Sequence, residues 1–196
     1  MHILEALLRL RQASCHTSLI DKKDQIGESG KLQNLVSMVE EVYGDNHKIL
    51  IFSQFIQMLK IVGNELDARK IPYFYLDGKT NNRGELVNDF QNKKEACVFL
   101  ISLKAGGVGL NLTSADYVFI FDPWWNPAVE MQAIDRTHRI GQNKTVFAYR
   151  MISKGSVEEK IMQLKARKKH IADLVITAEK SLIQELTRED LEFLFS

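Results

Sequence analysis

Two cysteines and three prolines are all that the 196 residues contain of either type, and the formal net charge is only +1. So few cysteines leave no room for a disulfide framework. Cys97, inside the apolar run ACVFLI, reads as a small buried hydrophobe, a usage suited to a reducing compartment. Cys15 stands beside His16, but two ligand-type residues without a second pair do not make a tetrahedral site, so no metal site is expected. Long apolar runs are missing too: none approaches the roughly 18 residues that a membrane helix requires. The opening MHILEALLRLRQ sets its arginines within an amphipathic helix, which is not the layout of a secretory signal. These absences point to an intracellular soluble protein with no membrane partner.

The near balance of 26 basic against 25 acidic residues conceals an asymmetry. Residues 136–170 hold ten Lys or Arg against two Glu, a local excess of eight positive charges, which leaves the rest of the chain with an excess of seven negative ones. A charge run of this kind is either a solvated helix face or the footprint of an anionic partner.

What is present is an alternation of patterns. Residues 29–44 space Leu32, Leu35, Val36, Val39 and Val42 along one helical face, with Ser29 as cap and Gly44 as terminator. KILIF (48–52) is a continuous apolar run of the sort found in parallel sheets covered on both faces. A helix pattern through Phe55, Met58, Leu59, Val62 and Leu66 follows, then the strand YFYL (73–76) and a short helix in NNRGELVNDFQ. CVFLIS (97–102), YVFIF (117–121) and TVFAYRM complete the strands. Between the last two, PAVEMQAIDRTHRI reads as a helix with Asn126 as cap and Pro127 in its first turn. Ser156 with Glu159 forms a capping box that opens a long helix to about Ile176.

Strands alternating with helices predict an α/β fold: a doubly wound, mostly parallel sheet of about five or more strands, flanked by helices, with helical extensions at both ends. The expected division is a helical lead-in and linker at 1–28, a lobe at 29–155, and a C-terminal helix with a tail at 156–196. Function in such a sheet collects in loops at the carboxyl ends of the strands, here SQF (53–55), DGKT (77–80), SLKAGGVGLN (102–111) and DPWWNP (122–127).

A phosphate cradle is also lacking. DGKT ends as a P-loop does, but Tyr73, Phe74, Tyr75 and Leu76 fill the positions where an open glycine turn would lie. SGKL (29–32) has Leu32 in place of a metal-binding hydroxyl. The glycine loop is more informative, since Gly106, Gly107 and Gly109 after a strand allow either a tight turn or a close approach to a ligand. Further on, Gln132, Arg136 and Arg139 fall at i, i+4 and i+7 of the predicted helix, so they share one face, while Val129, Ala133, Ile134 and Ile140 serve the sheet. The structural alternative pairs these arginines with Glu130 or Asp135.

ILIFSQF, YLDGKT, SLKAGGVGLNLTSAD, DPWWNPAVEMQAIDRTHRIGQ and YRMISKGSVEEKI, in this order and spacing, resemble the C-terminal helicase motifs of the Swi/Snf-type ATPases of helicase superfamily 2. The pattern covers nearly everything from Leu32 to Ile176, and LLRLRQASCH resembles the segment preceding this lobe in the family. The resemblance implies the second of two RecA-like lobes, the N-terminal one holding the P-loop and the Mg-binding acidic motif, with ATP in the cleft between them. It makes Arg136 and Arg139 arginine fingers, with Gln132 ordering their surface, and places Gly107 and Asn111 near the nucleotide. It lays double-stranded DNA along Ser53 and Gln54, along Gly78, Lys79 and Thr80, and along Ser102, Lys104, Ala105 and Gly106, with Trp125 at a groove. Trp124 stands where several relatives carry an acidic residue, so either indole could take that position. The basic helix around Arg167, Lys168 and Lys169 resembles the brace that returns toward the first lobe.

Taken together, these implications describe the arginine-finger half of an ATP-dependent double-stranded DNA translocase, inactive by itself and monomeric. A bacterial or archaeal source would place it in the cytoplasm at the nucleoid, and a eukaryotic source in the nucleus. The competing readings are a non-catalytic nucleic-acid-binding module of the same fold and a stand-alone NTPase using DGKT.

Overall fold

The apolar runs become strands where expected. The computed structural model describes residues 2–21, 29–103, 105, 110–135, 144–172 and 186–196. Its elements run α1 (His2–Cys15), a short 3-10 turn (Thr17–Leu19), α2 (Gly30–Gly44), β1 (Lys48–Ser53), α3 (Ile56–Ala68), β2 (Tyr73–Leu76), α4 (Arg83–Asn92) and β3 (Cys97–Ser102). After these come β4 (Tyr117–Ile120), α5 (Pro127–Asp135), β5 (Phe147–Arg150), α6 (Val157–Ala172) and α7 (Arg188–Phe195).

The strands form one sheet in the order β2-β3-β1-β4-β5, and every pairing is parallel. β1 and β3 sit inside it and are buried along their whole length, which is why both read as unbroken apolar runs. β5 is an edge, and all four of its residues are exposed.

Each face of the sheet has its own core. On one side α2 and α3 pack Leu35, Val39, Met58, Leu59 and Val62 against Ile49, Ile51, Val98, Leu100 and Phe119. On the other, Val87 and Phe90 of α4 and Ala133 of α5 meet Leu50, Phe52, Phe99, Ile101 and Val118. This division is what right-handed crossovers require, because the chain moves outward from β1 to β2 on one face and returns to β3 on the other. A third cluster joins α1, α6 and α7 through Leu7, Ile161, Leu164 and Leu194, with Trp125 among them.

Two local signals resolve differently from the sequence reading. Helix α2 runs through Gly44, and the left-handed residue is Asn46 at φ 63°, two positions later. Asn46 also accepts the Ala96 amide on its side-chain oxygen at 3.1 Å, which fixes the turn before β3. Ser156 and Glu159 do not close a capping box: Ser156 Oγ accepts from the Glu158 amide at 3.1 Å, while Glu159 takes the amide of Gly155 at 2.7 Å. Gly155 has φ +69°, so the chain turns one residue earlier and presents a different amide. Helix α6 is described to Ala172, and residues 173–176 of the expected helix lie outside the described residues.

Candidate nucleic-acid and nucleotide face

Because all the strands are parallel, their carboxyl ends share one edge of the sheet. The connection from β1 leaves toward β2 and the one from β4 toward β5, so the chain diverges between these two neighbours. That divergence opens a crevice in a doubly wound sheet. Here it is filled by protein. Ser53, the last residue of β1, donates its hydroxyl to the carboxylate of Asp122, two residues past β4. The Gln54 amide donates to both Asp122 oxygens, at 3.2 and 3.3 Å. Asp122 is fully buried, and burial pushes its pKa up; the Ser53 hydroxyl, the charge of Arg11 and the Gln54 amide work against that rise.

Arg11 reaches this loop from α1. It donates to the carbonyl of Pro123 at 2.5 Å and lies over the Trp125 ring at 5.4 Å and the Phe55 ring at 5.9 Å. Trp125 is only 7% exposed, so its indole joins α1 to α6 inside the protein, and the half-buried indole at this edge is that of Trp124.

The DGKT loop is folded shut on its own aspartate. Asp77 accepts the Lys79 amide at 2.8 Å and the Thr80 hydroxyl at 3.3 Å, and Thr80 Oγ1 accepts the Asp77 amide at 3.0 Å. Arg83 donates to the carbonyls of Thr80 at 3.0 Å and Gly78 at 3.1 Å, which holds the loop from below. Tyr75 donates to Asp77 at 3.3 Å, and burial together with that carboxylate pushes its phenol up to about 12. The amides that would have to face a phosphate are thus occupied by a carboxylate and a hydroxyl, and this loop does not fit a polyphosphate. Gly78 and Lys79 are exposed and Thr80 is half-buried.

Behind the edge lie two buried carboxylates. Glu130 of α5 accepts the Trp124 amide at 2.5 Å and Lys165 of α6 at 2.7 Å on one oxygen, and Arg150 of β5 at 3.1 Å on the other. Glu158 of α6 accepts Lys31 of α2 at 2.7 Å and the Ser153 amide at 3.0 Å, with the Cys15 thiol donating at 3.5 Å. Burial pushes Lys165 down, Glu130 opposing, and pushes the Cys15 thiol well up, so that thiol stays protonated.

Of the residues expected to meet DNA, Ser53 and Ser102 are buried at 1% and 2% exposure, and the Ser53 hydroxyl is already engaged by Asp122. Gln54 is half-buried beside them, and its side-chain nitrogen is buried with no partner among the described residues. Ala105 is buried, and Asn111 is exposed in the following loop. Lys104, Gly106, Gly107, Arg136 and Arg139 lie outside the described residues, as does the side chain of Gln132, whose backbone is in α5. Among the described residues no group of three His, Cys, Asp or Glu is arranged for a metal, and no helix is long and apolar enough to cross a membrane.

Sequence reasoning gave no role of their own to Asp122, Glu158 and Arg11, and named Glu130 only as a partner for Arg136 or Arg139. The one available signal was the acidic residue directly after an apolar strand in FIFDPW, a place where a carboxylate meets amides of neighbouring strand ends.

The pattern of the helicase conserved C-terminal domain matches residues 30–141, more than half of the chain. The chain belongs to the helicase C-terminal domain family, in its Swi/Snf-type branch. This Swi/Snf-type lobe is 39% identical over 99% of its length to an ATP-dependent helicase of Mycoplasma pneumoniae, of which it covers 19%. It is 43% identical to the human chromatin-remodelling ATPase INO80 over 80% of its own length and 10% of that protein. Among solved structures, the C-terminal domain of the Sulfolobus solfataricus SWI2/SNF2 ATPase superposes with a TM-score of 0.74 at 36% identity, covering 98% of this lobe and 80% of that chain. The core of the same ATPase in complex with double-stranded DNA superposes with a TM-score of 0.76 at 36% identity, covering 98% of the lobe and 41% of that chain. The lobe thus spans at most about a fifth of the length of the curated relatives described.

Proposed function

We propose that this lobe is the second half of an ATP-dependent double-stranded DNA translocase, contributing arginines and DNA contacts to a nucleotide that a P-loop lobe holds. The observation that carries this reading is the DGKT loop folded shut on Asp77 in a chain that carries the Swi/Snf-type motifs. The closed DGKT loop favours a nucleotide held by another lobe over a stand-alone site at this loop. In this reading Arg136 and Arg139 are the donors presented to that nucleotide, with Gln132, Gly107 and Asn111 at the same cleft. An arginine fork matches phosphate oxygens and neutralises charge that develops during phosphoryl transfer, an effect of ~10³ to 10⁵ in rate where such fingers operate. Mg and most of the nucleotide belong to the partner lobe.

The likeness to the Sulfolobus core in complex with duplex DNA supports DNA as a partner of this lobe, and in this reading its track runs along the carboxyl edge of the sheet. Gly78 and Lys79 are its exposed side, with half-buried Thr80 beside them and Lys104 and Gly106 in the glycine loop, while Ser53, Gln54, Ser102 and Ala105 back it. Contacts of this kind read phosphates rather than bases, as a motor moving over any sequence requires. Trp124, half-buried at the edge, is the better placed of the two indoles to meet a groove. In this reading the chain divides into a helical lead-in at 1–28, the lobe at 29–155 and a brace with its tail at 156–196, and acts as a monomer.

The test is turnover. Purified chain alone should show no ATPase activity, and joining it to a P-loop lobe with duplex DNA present should yield activity that Arg139→Ala lowers at least ~10³-fold. Turnover by the isolated chain, or full activity in Arg139→Ala, would reject the half-site reading.

A further inference from the structure

We propose that Glu130 is a positioning residue that locks α5 to α6 and β5, so that a displacement of α6 is passed directly to the helix leading into Arg136. The observation is the convergence of three elements on one side chain. Lys165 donates from the middle of α6 at 2.7 Å, Arg150 from the end of β5 at 3.1 Å, and the Trp124 amide from the loop after β4 at 2.5 Å. Glu130 lies in the first turn of α5, so a grip on its carboxylate is a grip on the start of that helix.

The grip is stiff for an electrostatic reason. Glu130 and Lys165 are both almost fully buried, at 3% and 7% side-chain exposure, whereas the third partner, Arg150, is 38% exposed. Two opposite charges removed from water hold each other far more tightly than a surface pair does, and separating them leaves each uncompensated. Neither can move alone. The α6 end of the lock is itself fixed: Glu158, in the first turn of the helix, holds Lys31 of α2 and the Ser153 amide. α6 also shares an apolar cluster with α1 and α7. A force on α1 or α7 therefore reaches α6 through packing and, among the described residues, reaches α5 through the Lys165–Glu130 ion pair. Glu130 has its oxygens engaged by Lys165, Arg150 and an amide, so it serves α6 and β5 rather than standing only as counter-ion to arginines on its own helix.

The consequence for catalysis rests on the reading that Arg136 and Arg139 act on the nucleotide, while the mechanical lock does not. The two are tested apart. Amide hydrogen exchange on the purified chain reports the lock: Lys165→Met, a change confined to α6, should speed exchange in the 127–135 peptide by about tenfold or more. The peptides of β1 and β3 should be unchanged and serve as internal controls. Glu130→Gln should produce the same local change, and the double variant should add little to either one. Lys165→Arg, which keeps the charge, should restore much of the protection. If Lys165→Met proves insoluble, Arg150→Gln at the half-exposed partner should give a smaller effect in the same peptide. Unchanged exchange in that peptide, a rise shared equally by β1 and β3, or additive effects in the double variant would overturn the proposal.

With a P-loop lobe joined and DNA present, Glu130→Gln should lower kcat while leaving KM for ATP within about twofold, because the nucleotide is held by the other lobe. A matching rise in KM would count against positioning. If instead Arg139→Ala leaves turnover intact, the finger reading fails while the exchange result stands.

Discussion

The hydroxyl of Ser53 and the carboxylate of Asp122 meet at the point where the paths of β1 and β4 diverge, and they close with protein the crevice that this topology opens. Ser53 thereby links two strand ends and, through its own oxygen, holds the Phe55 amide at 3.0 Å. Removing the hydroxyl in Ser53→Ala strands a fully buried carboxylate. A loss of about 1–3 kcal/mol is expected in urea unfolding, and a loss under a few tenths would show that the Gln54 amide alone satisfies Asp122.

Asp122 also sets a pH dependence. Its folded pKa is raised above the ordinary 3.8 by burial, so the folded state binds the proton more tightly than the unfolded one. Stability contributed by this group is greatest in acid and falls as pH rises from 3.8 through the raised value. Unfolding free energies of wild type and Asp122→Asn, measured across that range, should show wild type losing ground to the variant as pH rises. A constant difference would place the charge in a better solvated site than the geometry indicates.

Asp190 should behave in the opposite sense. Burial pushes its carboxyl up, but hydrogen bonds from Lys168 and from the Thr187 amide and hydroxyl more than offset this and hold it below the ordinary 3.8. The stabilisation is full above 3.8 and is lost as pH falls through the lowered value. Because Asp190 caps α7 and pairs with Lys168 of α6 at 2.8 Å, acid should release α7 first. Exchange of the 188–195 amides in wild type, relative to the intrinsic rate, should rise as pH falls from 3.8 through the lowered value. In Asp190→Asn it should already be raised at neutral pH.

Phe99 is the centre of an aromatic group, with the Phe90 ring at 5.1 Å and the Phe74 ring at 5.8 Å, and none of its surface is exposed. Phe99→Ala should cost about 3–5 kcal/mol, since a rigid central strand cannot collapse into the cavity. The check is the midpoint of chemical denaturation.

Replacement of Lys79 should flatten the salt dependence of duplex binding by about one unit of slope without changing sequence preference, and replacement of Lys104 should do the same. An unchanged slope would remove that lysine from the phosphate track.

What the sequence disclosed and what it hid differ in the range of the forces involved. The buried strands were legible because burial on two faces demands an unbroken apolar run, as KILIF shows, and α2 because its apolar residues repeat with the helical turn. The end of α2 was less so: glycine at 44 was the obvious terminator, yet Asn46 takes the left-handed turn because its side chain also secures Ala96, fifty residues away. The ionic interior was invisible for the same reason. Arg11 meets Pro123 across 112 residues and Lys31 meets Glu158 across 127, and no local pattern encodes such pairs. The bulky flank of DGKT excludes a cradle from sequence alone, but that flank does not encode the closure of the loop on Asp77.

The strand order carries a consequence for how the chain acquires its shape. β1 and β2 are consecutive in sequence yet do not touch; β3 lies between them and bonds to both. Until Ser102 has left the ribosome, neither earlier strand has a strand partner, and only the face of KILIF that meets α2 and α3 can be covered. Sheet pairing of either earlier strand therefore waits for β3, and the exposed edge strand β5 comes last in the chain. A nascent chain stalled before residue 97 would present open strands to any chaperone or neighbour within reach.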